Sequence, residues 1–287
     1  MLVLVGYGYY ADRVAPRRDV VFQIGDRAYS YGYLEDRLKS EAAQGRFDPQ
    51  DIATSISTTI ARIQREELIR QMGRERGINV SDAEIDDKIR ERLLLPEEAT
   101  RNDIATALRD EVRDIDLSLD EFLAITEVAV IEDKIKAELT DPLPEEAEQV
   151  NLLYIQAGSQ ANAIQALQAL DEGAEFAAVA SQRSQDTATR SDGVLGWVPR
   201  EHLDPELADV AFSLTGRSGI IETEDDFYII EVLGKETRPI DPAVIEEIGN
   251  KEFNKLLEAA FDETPFIYNL TQEQIFDLAG AVGGSFG

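Results

Sequence analysis

Val150-Asn151-Leu152-Leu153-Tyr154-Ile155 is an apolar run that opens the stretch deciding the fold, and its length and composition predict a strand. Working outward, Ala161 to Gly173 patterns as a helix and Phe176-Ala177-Ala178-Val179-Ala180 as a shorter one. The small polar loop Ser184-Gln185-Asp186-Thr187-Ala188 leads into Gly193-Val194-Leu195-Gly196-Trp197-Val198. A second helical pattern, Pro205 to Leu214, ends near Gly216, and Phe227-Tyr228-Ile229-Ile230-Glu231-Val232 closes the unit. Strand, helix, short helix, strand or loop, helix, strand, strand is an α+β plan, and at roughly 85–90 residues it has the size of one domain.

The whole chain of 287 residues has room for two such domains. It carries 28 basic against 57 acidic residues, a net charge of −29. Such a surface repels phosphate backbones and excludes nucleic acid as a partner. With no cysteine there is neither disulfide nor thiol nucleophile nor thiolate metal site. The single histidine, His202, sits in the polar stretch Pro199–Asp204 and reads as a solvated or loop-capping residue. No cofactor or metal is called for, and nothing in the sequence sets an oligomeric state.

Before the central unit, Val20 to Tyr29 alternates like a short hairpin turning at Gly25-Asp26. Helix follows from near Tyr31. Ile52, Ile56, Ile60, Ile63, Leu68, Ile69 and Met72 then recur at helical spacing, and Gly77 ends that helix beyond Arg74 and Arg76. Ser81-Asp82-Ala83-Glu84 is a capping box, and Ser118-Leu119-Asp120-Glu121 repeats the device. Asp141-Pro142-Leu143-Pro144 breaks the last helix and marks a boundary. Past the central unit, Pro239-Ile240-Asp241-Pro242 reads as a second linker. Helical patterns follow at Val244–Phe261 and Thr271–Val282, the latter opening with a box at Thr271–Gln274. The first ten residues are apolar with interfacial tyrosines. They are too few to span a bilayer and read as the outer end of a membrane anchor that begins upstream, an N-terminal strand being the alternative.

In order and spacing, Val150–Ile155, Gly173-Ala174-Glu175-Phe176, Ala180-Ser181, Ser184-Gln185-Asp186, Asp192–Gly196, Ala211–Leu214 and Phe227–Ile230 resemble a parvulin-type peptidyl-prolyl cis/trans isomerase over about a third of the chain. Gly77 to Asp86, ahead of the Ser118 helix and the proline stop, resembles the N-terminal chaperone domain of PrsA/SurA-like foldases. The resemblance implies an α+β protein. Residues 19–145 form a helical chaperone-like domain and 146–238 a parvulin-like domain with a small central antiparallel sheet. Residues 239–287 return to pack on the helical domain, and 1–18 are the anchor remnant.

Rotation about an X–Pro bond breaks nothing, so its catalyst needs an apolar seat for the ring and polar groups that favour the twisted amide. By resemblance Leu203, Leu207 and Phe212 form that seat, although helix-facing leucines serve equally as plain core. Asp186 matches the polar group beside the substrate carbonyl, with loop capping as its alternative role. Thr223 matches a hydroxyl beside the family's paired histidines, and a simple strand threonine is the other reading. Tyr154 and Tyr228 stand where the family has those histidines; phenols keep hydrogen-bonding capacity but titrate near pH 10. Gly193, Leu195 and Gly196 match the turn beneath the site, and Trp197 is expected in the core. The implied partners are unfolded or extended polypeptides with X–Pro bonds, outside the cytoplasm and at a membrane. A catalytically silent holdase with the same clients is the second reading.

Overall fold

The computed structural model describes residues 16–186, 192–224 and 226–283. In the first half the elements are β1 (Val20–Ile24), β2 (Arg27–Ser30), α1 (Tyr31–Ala43), α2 (Ile52–Glu75), α3 (Asp82–Arg92), α4 (Arg101–Asp114) and α5 (Leu119–Thr140). The middle holds β3 (Glu146–Ala157), α6 (Gln160–Asp171), α7 (Phe176–Arg183), β4 (Val194–Pro199) and α8 (Pro205–Ser213). Short strands β5 (Gly216–Arg217) and β6 (Ile221–Glu222) precede the long β7 (Phe227–Pro239). The chain closes with α9 (Pro242–Glu263), β8 (Phe266–Tyr268) and α10 (Gln272–Gly283). The fold is mixed α+β with small antiparallel sheets. Two compact units emerge, one of Glu138–Glu252 and one joining the chain up to Ala137 with the chain from Phe253 onward.

In the helical unit, the β1–β2 hairpin turns on Gly25 at φ +54°, a left-handed angle that glycine adopts freely. β8 pairs antiparallel on the other side of β1, with Phe22 opposite Tyr268, so the sheet order is β2-β1-β8. Ser30 and Asp51 cap α1 and α2 by accepting the Tyr33 and Thr54 amides. α2 ends at Glu75, with Gly77 left-handed just beyond it. The Ser81–Glu84 box is reciprocal, as is one at Thr100–Asp103 that the sequence reading did not single out. Ser118 is different. Its hydroxyl takes the Glu121 amide, but the Glu121 carboxylate lies 3.4 Å from Arg37. Phe122, Ile89 and Ile104 centre the core that α3, α4 and the start of α5 share.

In the second unit the sheet runs β4-β3-β7-β5, with β6 also on β7. β3 and β7 pair from Glu146↔Pro239 to Ala157↔Phe227. Both faces of this pair are covered, which explains the unbroken apolar run. Val150 and Leu152 pack with Leu207, Ala208 and Ala211 of α8, while Ile155 packs with Ala166 of α6 and Val179 of α7. Trp197 is only half-buried. The Arg238 guanidinium lies 4.8 Å above its ring, and Gly234 leaves the room it needs, since a Cβ there would meet the indole at 3.3 Å. The Pro239–Pro242 segment is no open linker: Ile240 is buried and its amide donates to the Glu145 carbonyl. His202 is half-buried rather than solvated. Burial holds its imidazole below the ordinary value, Glu247 opposing and Lys251 assisting, so it is neutral at pH 7.

Candidate functional site

The site is built from the middle of β3. Tyr154 has its backbone fixed first: its amide donates to the Gly193 carbonyl at 2.8 Å. Gly193 reaches that place at φ +75°, and a Cβ would lie 3.0 Å from that of Ala180, so only glycine brings this strand entry so close to α7 and β3. The loop after α7 is laced to the same strand two residues on. Ser184 accepts the Gln156 amide at 3.2 Å, and the Gln185 amide donates to the Gln156 carbonyl at 2.8 Å. Gly158 gives the Gln185 side chain the space it occupies. With loop and strand tied together on both sides, the Tyr154 hydroxyl donates to Asp186 Oδ2.

Tyr228 lies on β7 opposite Gln156, which makes it the diagonal neighbour of Tyr154. The two phenol rings stack at 6.1 Å with 20° between their planes. Beneath them, Leu203, Leu207 and Tyr228 belong to one apolar cluster, with Tyr154 and Phe212 packed against it. Thus Asp186, Tyr154, Tyr228, Leu203, Leu207 and Phe212 come together as one assembly. Its apolar part is tightly covered, with Leu203 at 7% and Leu207 at 4% exposure. Phe212 is the more open wall, and the Arg200 guanidinium sits 4.8 Å over its ring while pairing with Asp209 at 2.7 Å.

Thr223 has a different place. Its hydroxyl donates to the Asp226 carbonyl at 3.0 Å and accepts the Asp226 amide at 3.2 Å, closing the β6–β7 turn. Gln156 was not singled out from sequence, yet its backbone holds the Asp186 loop and its side-chain amide donates to the Asp226 carboxylate at 2.5 Å. A polar residue closing an apolar run was the available signal. Among the described residues no group of three or more acidic or histidine side chains is arranged to hold a metal ion.

A family model described as the PPIC-type PPIASE domain matches residues 143–236, the segment that carries every one of these side chains. A peptidyl-prolyl cis-trans isomerase pin4 from Neurospora crassa is 37% identical over 95 residues, covering 31% of this chain and 72% of that protein. The chain belongs to the parvulin-type peptidyl-prolyl isomerases. The foldase protein PrsA of Caldanaerobacter subterraneus is 28% identical over 204 residues, which is 69% of this chain and 64% of PrsA. The chaperone SurA of Nitrosospira multiformis is 24% identical over 205 residues, 62% of this chain and 46% of SurA. A PrsA crystal structure from Bacillus anthracis aligns with 71% of this parvulin chain and 96% of its own, at 17% identity and a TM-score of 0.43.

Proposed function

We propose that the Glu138–Glu252 unit catalyses cis/trans isomerisation of X–Pro bonds in unfolded polypeptides, as the isomerase part of an extracytoplasmic foldase. The observation that carries this is the Tyr154 hydroxyl bound to Asp186 at the edge of the cluster containing Leu203, Leu207 and Phe212. Twisting the peptide C–N bond costs ~18–20 kcal/mol because conjugation is lost. A catalyst lowers this by binding the twisted form more tightly than either planar form. The proline ring would lie against Phe212, and the phenol–carboxylate pair would face the amide as its polarity changes. Tyr154 and Tyr228, taken to stand where the family has histidines, keep that network hydrogen-bonded without an imidazole.

The test is a protease-coupled assay with proline tetrapeptides. The folded protein is expected to accelerate isomerisation, and Asp186→Ala to lower kcat/KM by about tenfold or more, the weight of a hydrogen bond to a charged group. A rate equal to buffer alone would remove the proposal. One observation favours a second reading, a catalytically silent holdase: Leu203 and Leu207 are almost wholly covered by the unit's own core, which leaves them little surface for a proline ring. That holdase would suppress aggregation of an unfolded client with no effect on isomerisation. The extracytoplasmic, membrane-anchored placement is supported by the foldase relatives and by the apolar first ten residues, which lie outside the described residues. Among described residues no helix is long and apolar enough to cross a membrane. Fractionation of cells expressing the full gene checks the placement, and recovery in the cytosol would refute it.

A further inference from the structure

In the helical unit a cavity of 340 Å³ opens between α1, α2 and the α4–α5 turn, and its charge runs against that of the chain. Four guanidiniums, from Arg37, Arg46, Arg62 and Arg92, line it against the carboxylates of Glu41 and Glu66. Even with Glu121, which lies 3.4 Å from Arg37, the basic groups outnumber the acidic ones, in a protein of net charge −29. The internal pairings account for three of the four. Glu66 takes Arg37 in a two-bond fork at 2.7 and 2.8 Å, and Glu41 is shared by Arg46 at 2.7 Å and Arg62 at 2.6 Å. Arg92 is left over. No hydrogen bond or ion pair joins it to another described residue, and its guanidinium stacks 4.4 Å over the fully buried Phe122 ring. Stacking holds the guanidinium plane in place and leaves its N–H edges available, the arrangement that receives a planar two-oxygen anion.

Beside the arginines the wall is apolar, from Ile115, Leu117 and Ile125. The volume lies near the lower end of ligand sites, room for the end of a chain or one side chain and its neighbour rather than a folded surface. We propose that this cavity seats a carboxylate carried next to an apolar side chain on an extended polypeptide, with Arg92 as the group that completes its fork. The polypeptide carrier rests on the foldase reading; the carboxylate seat does not. The carboxylate has two sources, the free C-terminus of an unfolded chain or an internal Asp or Glu.

The experiment is an NMR titration of the full chain with labelled isoleucine methyls, read at Ile115 and Ile125. Four probes separate the sources: a capped tripeptide ending in a free leucine carboxylate, its C-terminal amide, a doubly capped peptide with Glu beside Leu, and inorganic phosphate. Saturable shifts with the free acid, weakened about tenfold by Arg92→Gln and less by Arg92→Lys, support a C-terminal seat. Binding of the internal Glu peptide instead supports the same seat with a side-chain source. Equal binding of acid and amide, phosphate as tight as the peptides, or an Arg92→Gln protein that binds unchanged would each overturn the proposal. Arg92 is exposed on α3, and an unaltered thermal midpoint for Arg92→Gln confirms that the variant is folded. Prolyl isomerisation by the same samples, with and without Asp186→Ala, reports separately on the foldase reading.

Discussion

At the scale of single residues, small side chains set the site as firmly as the chemical ones. Gly193 is the clearest case, because its φ of +75° is left-handed and a Cβ there would crowd Ala180 at 3.0 Å and Phe176 at 3.1 Å. Gly193→Ala is expected to destabilise the protein by about 1–2 kcal/mol from the backbone angle alone. A lower denaturant midpoint with an unchanged slope would show it, and an unchanged midpoint would refute it. That Leu203, Leu207, Phe212, Tyr154, Tyr228 and Asp186 would meet in space was legible from the family resemblance, which places them in order, and the structure brings these side chains together. What Thr223 does was not. Resemblance matches it to the family's hydroxyl beside the paired histidines, whereas in the structure its hydroxyl bonds the Asp226 backbone, a local competition that a sequence match does not reveal.

At the scale of elements, caps and stripes were read well, and the boxes at Ser81 and Thr271 are reciprocal while the one at Ser118 is not. Ser81 and Glu84 satisfy each other's backbone amides, so Ser81→Ala should cost about 1 kcal/mol. At Ser118 the serine half of the motif is intact, but Glu121 is drawn to Arg37. Glu121→Gln is therefore expected to act through the buried arginine rather than through the start of α5. A double-mutant cycle with Arg37 measures this, and additive effects would overturn it. Strand β8 shows the limit of pattern reading in another way. Phe266-Ile267-Tyr268 is too short for periodicity to separate strand from loop, and its partner β1 lies more than two hundred residues earlier.

At the scale of the whole molecule, acid sensitivity follows from buried carboxylates of the helical unit. Burial pushes Glu41 and Glu67 up, yet hydrogen bonds and charges from Arg46 and Arg62 on the one, and Arg74 and Arg27 on the other, pull both below the ordinary 4.5. A carboxylate lowered in the folded state adds stability that is complete above 4.5 and lost as pH falls through its folded value. Glu121 works in the opposite sense, since burial raises it, but Glu132, where burial is outweighed by Arg65 and Lys136, joins Glu41 and Glu67 on the other side. The thermal midpoint is expected to fall as pH drops below 4.5, and Glu67→Gln to flatten that fall. A variant with the same pH slope as the parent would show that Glu67 has no part in it. Glu67→Gln removes one of 57 acidic residues, so at each pH the two proteins share nearly the same overall charge and the comparison cancels general self-repulsion.

Sequence alone determined the strand-and-helix order of the central unit, most helix starts and stops though not the start at Thr100, and the class of side chain at the candidate site, because these follow from local periodicity, caps and motif order. Tertiary structure decided which loop tyrosine and aspartate meet across, how deeply the leucines are covered, and where surplus arginines gather. Those depend on contacts between residues far apart in the chain, where burial and competing partners choose among roles that a sequence leaves equally open.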